Sequence, residues 1–256
     1  MLKKRYYILL NLLLLSIGSF AQKDSLGHKK TTLSCNVGYG FPLGDFGLKG
    51  GVSTDNPGYA NPGLDINFLA KFCSTHTESG LLLMSSFNLN KFDISSYLNP
   101  SSLFPRSGPP YFKISNFNES AGNYLQFNLL TGFSIVCYHS NKIALDFRFF
   151  IGATYFTYPQ ISISYLEQYG TTGYTTSIME VSNSPENSSI NPALEIGLSL
   201  RYAFNKRINI LLSSDMFFSR VTLNYSNGTY HNPDYSVYIT DLLLNLNVGI
   251  DYRFSL

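Results

Sequence analysis

Four histidines, three cysteines and a thin scatter of charges are the groups in this chain with the most obvious capacity for chemistry. His28, His76, His139 and His231 stand far apart. His231 lies near Asp234, a base beside an orienting carboxylate, which is the start of an acyl-transfer site for lipid. No serine stands at a motif spacing from it. The histidines match no metal-ligand spacing, so no metal site is expected. Cys35, Cys73 and Cys137 form no C-x-x-C pair, and free thiols, buried or facing lipid, are the expected state. A disulfide between two of them is the alternative. No glycine-rich loop follows a strand and opens a helix, so nothing points to a nucleotide or another cofactor. With 18 Lys+Arg against 16 Asp+Glu and no dense basic run beyond the first residues, nucleic acid is not an expected partner.

One charged set remains. Arg148, Glu195 and Asp215, with Arg201 or water completing the set and Asp146 at its edge, fall on polar positions inside otherwise apolar segments. Two opposed roles fit them. They could line an ion-selective path, or they could pair with each other and plug an interior, since a buried charge needs an opposite partner. Which role is possible depends on the elements that carry them.

Those elements have a period of two. Apolar residues alternate with polar or small ones over 33–41, 64–72, 81–89, 125–135, 143–155, 190–202, 208–218 and 242–254. Leu242, Leu244, Leu246, Val248, Ile250, Tyr252 and Phe254 show the pattern best. Alternation of this length indicates strands. The runs exceed the usual soluble strand of about 5–6 residues and suit a tilted membrane strand of about 9–11. The apolar faces carry no charge. The opposite faces carry Lys71, Lys142, Arg148, Arg201 and Arg253 against Asp65, Asp146, Glu195, Asp215 and Asp251. That is too sparse for a solvated exterior, so the oily face is read as facing lipid. Only a closed sheet satisfies every backbone group in lipid.

The connections alternate as well. Links at 42–62, 91–122, 156–189 and 219–241 are long, and those at 74–79, 138–141 and 204–207 are short. Outer-membrane barrels pair long external loops with short periplasmic turns. The expectation is therefore an all-β, eight-stranded antiparallel up-and-down transmembrane β-barrel with long extracellular loops. Ile161 to Tyr165 could extend the fifth strand above the membrane, with Thr171 to Tyr174 as the tip of that loop. The register expected from the link lengths sets Tyr155 opposite Ile190. That brings Arg148 within about two residues of Glu195, and the turn at 204–207 places Asp215 beside Glu195 or Gly197.

Residues 1–21 read as a secretory signal peptide: Lys3, Lys4 and Arg5, an apolar stretch from Tyr6 to Ile17, then Ser19 and Ala21 at the positions a peptidase reads. Residues 22–31 form a periplasmic leader and 32–256 the barrel. The expected location is the cell outer membrane. Tyr39, Tyr155, Tyr202 and Tyr252 suit an interfacial girdle. Tyr165, Tyr169, Tyr174, Tyr225, Tyr230, Tyr235 and Tyr238 suit a binding surface on the loops.

The chain resembles the PorT-like outer-membrane β-barrel family. Asn36-Val37-Gly38-Tyr39-Gly40-Phe41-Pro42-Leu43-Gly44-Asp45-Phe46 looks like its first strand and turn. Tyr124-Leu125-Gln126-Phe127-Asn128-Leu129-Leu130 looks like its central strand, with Gln126 and Asn128 where the family has Glu and Pro. Asn247 to Phe254 fits the closing strand with its barrel-assembly signal, although Ser255 and Leu256 follow the last aromatic. The resemblance implies fold and location rather than an activity. The function expected is a non-catalytic barrel with a structural or loop-mediated interaction role. Its partners would be outer-membrane lipid, the barrel-assembly machinery and a protein or surface ligand bound through the loops. A narrow channel or small-ligand carrier is the alternative, and a barrel enzyme acting on lipid comes third.

Overall fold

The computed structural model describes residues 30–49, 59–73, 78–97, 113–159, 161–169, 173–179, 188–225 and 235–255. Eight strands close into one antiparallel barrel: β1 (Lys30–Leu43), β2 (Gly63–Cys73), β3 (Gly80–Lys91), β5 (Asn123–His139), β6 (Ile143–Thr157), β9 (Ser188–Ala203), β10 (Ile208–Tyr225) and β11 (Tyr235–Ser255). Each pairs with its neighbours in sequence, and β11 returns to β1. The remaining strands, β4 (Lys113–Ala121), β7 (Ile161–Tyr169) and β8 (Gly173–Met179), form a separate three-stranded sheet in the long links.

Closure follows from the alternation. Along β9, Ile196, Leu198, Leu200 and Tyr202 point outward and are exposed, while Glu195, Ser199 and Arg201 point inward and are buried. The same parity runs through β1 and β11, where Cys35, Val37 and Tyr39 pair with Ile250, Val248 and Leu246 on the outer face. This differs from a soluble core, because apolar side chains cover the outside while the inside mixes amides and charges with buried Leu82, Met84, Leu130, Phe150, Phe217 and Leu243. On β9 the outward set from Ile190 to Tyr202 spans roughly 30 Å at ~3.3 Å per residue and a typical barrel tilt. Tyr138, Tyr202, Phe204, Tyr252 and Phe254 rim the belt at the end with the short turns. Tyr39 and Phe41 lie on the outer face nearer the other end.

The turn end is tightly tied. Ser140 N donates to Ile143 O at 2.7 Å, and Asn205 Oδ1 accepts from the backbone N of Arg207 and Ile208, each at 2.8 Å. A bulge interrupts β5 between Val136 and Tyr138, leaving Cys137 out of register. Two expectations change in detail. β1 already begins at Lys30, before the boundary expected at 32. Ile161 to Tyr165 does not extend the fifth barrel strand, because β7 pairs with β4 and β8 instead. Of the expected tip, Gly173 and Tyr174 begin β8, while Thr171 and Thr172 lie outside the described residues. Strand pairing within the links satisfies backbone groups that no barrel strand reaches.

Candidate functional site

The inward positions of β6, β9 and β10 meet at one level. Arg148 pairs in register with Gly197, and Gly197 with Asp215. A glycine thus separates the two charged side chains. Arg148 Nη2 donates to both carboxylate oxygens of Asp215, at 2.5 and 2.6 Å. Gly197 makes this possible: a Cβ built there would lie 1.8 Å from Asp215 Oδ1 and 2.9 Å from Ser214 O. Any side chain would occupy the space the carboxylate uses. Asp215 and Glu195 are 1% and 2% exposed. Tyr155 does stand opposite Ile190, as the link lengths suggest. Of the expected partners, Glu195, Asp215 or both, Arg148 closes on Asp215. Glu195 remains within electrostatic reach of both.

Asp146 and Arg201 do not complete that cluster. They form a second network nearer the turn end. Arg201 Nε and Nη2 donate to Asp146 at 2.6 and 2.9 Å, a two-point grip that suits a planar guanidinium. Lys71 Nζ approaches the same carboxylate at 3.5 Å. Asp146 faces Ser199 in register, so Arg201 reaches it diagonally. Arg201 Nη2 also donates to Glu78 Oε2 at 3.1 Å, and Arg253 Nη2 to Glu78 Oε1 at 3.4 Å. His139 Nδ1 lies 3.7 Å from Glu78.

Glu78 stands on the 74–79 turn, outside the strands. Burial raises its pKa, but Arg201 and Arg253 outweigh burial and hold the carboxyl below its ordinary value of 4.5. Its folded pKa therefore lies below its unfolded one. The pairs stabilise the fold above about pH 4.5 and are lost as pH falls through the depressed value. Acidification from about pH 5 to about pH 3 should lower the melting temperature more in the wild type than in Glu78→Gln. Equal falls would contradict the pairing.

Amides fill much of the rest of the interior. Asp65 accepts from Asn67 at 2.9 Å and from Asn247 at 2.8 Å, and Asn128 donates to Ser86 at 2.8 Å. The pocket lined by Lys71, Asp146 and Arg148 has a volume of about 10 Å³. That is about the volume of one water-sized probe. Asp241, just outside the eighth alternating run, is wholly buried among the inward residues.

The loop end is closed by aromatic rings. Phe46, on the helical turn Gly44–Gly47 after β1, packs on Tyr124 at 4.9 Å and on Phe156 at 5.8 Å between ring centres. Tyr124 belongs to β5 and Phe156 to β6, and β6 lies across the ring from β1. Phe92 packs tilted against Tyr124 at 5.9 Å and Tyr158 edge-on at 5.2 Å. Backbone bonds hold this plug: Ala60 N to Phe46 O at 3.0 Å, Tyr59 N to Leu48 O at 3.2 Å and Asp93 N to Tyr59 O at 2.7 Å. Lys49 Nζ adds donations to Asn61 at 2.5 Å and to Asp93 at 2.6 Å. Although burial raises the Asp93 pKa, Lys49, Ser95 and Ser96 together hold its carboxyl far below the usual carboxylate range. The plug was not anticipated from sequence, because its residues lie in or beside links that lack periodicity. The clue was the density of aromatics at the strand–link junctions.

The candidates for chemistry do not converge. His28, His76 and His231 lie outside the described residues, as do Asp234 and Tyr230. Cys35, Cys73 and Cys137 are free. Among the described residues no group of His, Cys, Asp and Glu could hold a metal ion. Of the loop tyrosines, Tyr238 is exposed with Arg220 at 4.5 Å over its ring. Tyr165, Tyr169, Tyr174, Tyr225 and Tyr235 lie in strands whose side chains at those positions are outside the description.

No protein-family model matches this chain. No curated protein matches it. Among solved structures it is similar to a major outer membrane protein from Thermus thermophilus, at 12% identity, covering 88% of this chain and 99% of that one, TM-score 0.45. Neisserial surface protein A aligns at 7% identity over 91% and 100% of the two chains, TM-score 0.38. Ail, the attachment invasion locus protein of Yersinia pestis, aligns at 11% identity over 90% and 100%, TM-score 0.35.

Proposed function

We propose that this chain is a non-catalytic outer-membrane β-barrel, closed to ions, with a structural or loop-mediated interaction role. The observation that carries the reading is the filled lumen. An aromatic plug lies across the loop end, and the pocket beside the central ion pairs has a volume of about 10 Å³. A hydrated ion would have to displace both. The outward apolar belt supports residence in lipid, and exposed aromatics beside the short turns suit an interface. In this reading residues 1–21 are removed on export, residues 22–29 lead into β1, and the short turns and both chain ends face the periplasm. The long links face outward, where the β10–β11 hairpin with Arg220 and Tyr238 would meet a protein or surface ligand. Asn247 to Phe254 would engage the barrel-assembly machinery, in keeping with the PorT-like resemblance.

Conductance tests this. The purified barrel in planar bilayers should give no discrete current steps under applied potential, even though heat-modified gel mobility shows it folded. Reproducible single-channel steps would overturn the closed lumen and favour a narrow channel.

A further inference from the structure

The two ends of the barrel are built differently. The loop end is plugged by rings, whereas the turn end holds a cavity of about 450 Å³. Its lining includes Lys142, Arg201, Lys206, Arg253, His139 and Glu78. Four permanent cations therefore face one carboxylate. Backbone bonds anchor the main chain at two of them, Lys142 and Arg253. Ala203 N donates to Lys142 O and Arg253 N to Arg207 O, each at 2.7 Å, which ties the two short turns to the strand ends. Arg201 is further fixed by its grip on Asp146.

Glu78 reveals what the site recognises. Its two oxygens are taken by Arg201, Arg253 and His139, so the cavity already binds one anionic group, supplied by the chain itself. Lys142 and Lys206 have no acidic partner among the described residues, and both are exposed. The volume is that of a small-molecule site rather than of a single carboxylate. A cleft lined by one sign of charge within apolar walls also concentrates counter-charged solutes.

We propose that this vestibule binds a small phosphate-bearing solute entering from the turn end, with Lys142, Lys206 and Arg253 as its anion contacts and Glu78 as a built-in competitor. The same phosphate chemistry could come from a lipid headgroup of the adjacent leaflet. Arg201 and Arg253 share the inward parity of their strands, while Lys142 and Lys206 stand on the short turns that line the same cavity, which favours a dissolved ligand entering from the turn end. The proposal does not depend on whether the lumen conducts.

Calorimetric titration of the full mature barrel with pyrophosphate, in nanodiscs of phosphatidylcholine, tests it. Saturable binding near one per barrel is expected. Glu78→Gln should tighten it at least about fivefold, because the competing carboxylate is gone while the cations stay. Lys142→Gln with Lys206→Gln should weaken it at least about fivefold, with folding verified by heat-modified gel mobility. These lysines are exposed on turns, so this variant remains informative even if Glu78→Gln fails to fold. Repeating the titration in phosphatidylglycerol discs separates the sources: unchanged affinity supports a dissolved ligand, and competitive loss assigns the site to a headgroup. No saturable heat in either the wild type or Glu78→Gln would overturn the proposal. Equal affinity of the wild type and the double lysine variant would do the same.

Discussion

Arg148→Met should destabilise the folded barrel by about 3–5 kcal/mol, the usual cost of removing one partner of a buried ion pair. The substitution nearly conserves volume, so the cost is electrostatic. It would leave Asp215 sealed at 1% exposure with Glu195 beside it, two carboxylates with no guanidinium between the strands. Adding Asp215→Asn and Glu195→Gln should restore most of the loss, since neutral amides carry no such charge penalty. Urea titrations followed by heat-modified gel mobility would rank the three proteins. A triple variant no more stable than Arg148→Met would mean that the pair does not carry the cost.

Leu198→Arg is expected to have the next largest effect. Leu198 is 49% exposed in the middle of the outward face of β9. Exposure of a large apolar side chain to water is tolerable, whereas a cation facing hydrocarbon is not. Near the bilayer midplane the penalty is roughly 2–4 kcal/mol. Leu198→Phe should be nearly neutral there, because lipid accepts any apolar shape. Folding yields into phosphatidylcholine vesicles would compare them. Equal yields for Arg and Phe would mean that this face does not meet lipid.

The strands were legible in the sequence because lipid leaves no freedom on one face. Any charge at Val37, Leu198 or Val248 would be costly, so the outward face of the alternating runs carries no charge, although Ser85, Thr131 and Ser214 interrupt its apolar run. The register was also accessible. The 156–189 link puts Arg148 within about two residues of Glu195 and the 204–207 turn puts Asp215 beside Glu195 or Gly197, and the pairing sets both opposite Gly197. The choice between acceptors was not legible. Glu195 and Asp215 share inward parity, and parity says nothing of side-chain direction. The deciding feature is the missing side chain at Gly197, which opens the space Asp215 occupies. Arg201 was misassigned for a related reason: barrel stagger lets a long side chain reach diagonally, and it reaches Asp146 and Glu78 instead. The plug and the β4–β7–β8 sheet were missed because links carry no periodic signal. Phe46 and Phe156 lie 110 residues apart in sequence and meet only after the barrel closes.

The central claim is a closed barrel whose apolar face meets lipid. Fluorescent labels on single cysteines test it most directly, in a background with the three native cysteines replaced by Ala. Labels at Val37, Leu198 and Val248, on three different strands, should be quenched by lipids brominated along their tails and left untouched by iodide in solution. Labels at Asn141 and Lys206, on the short turns, should show the opposite response. Iodide quenching at Val37, Leu198 and Val248, with no response to brominated lipid, would contradict the account.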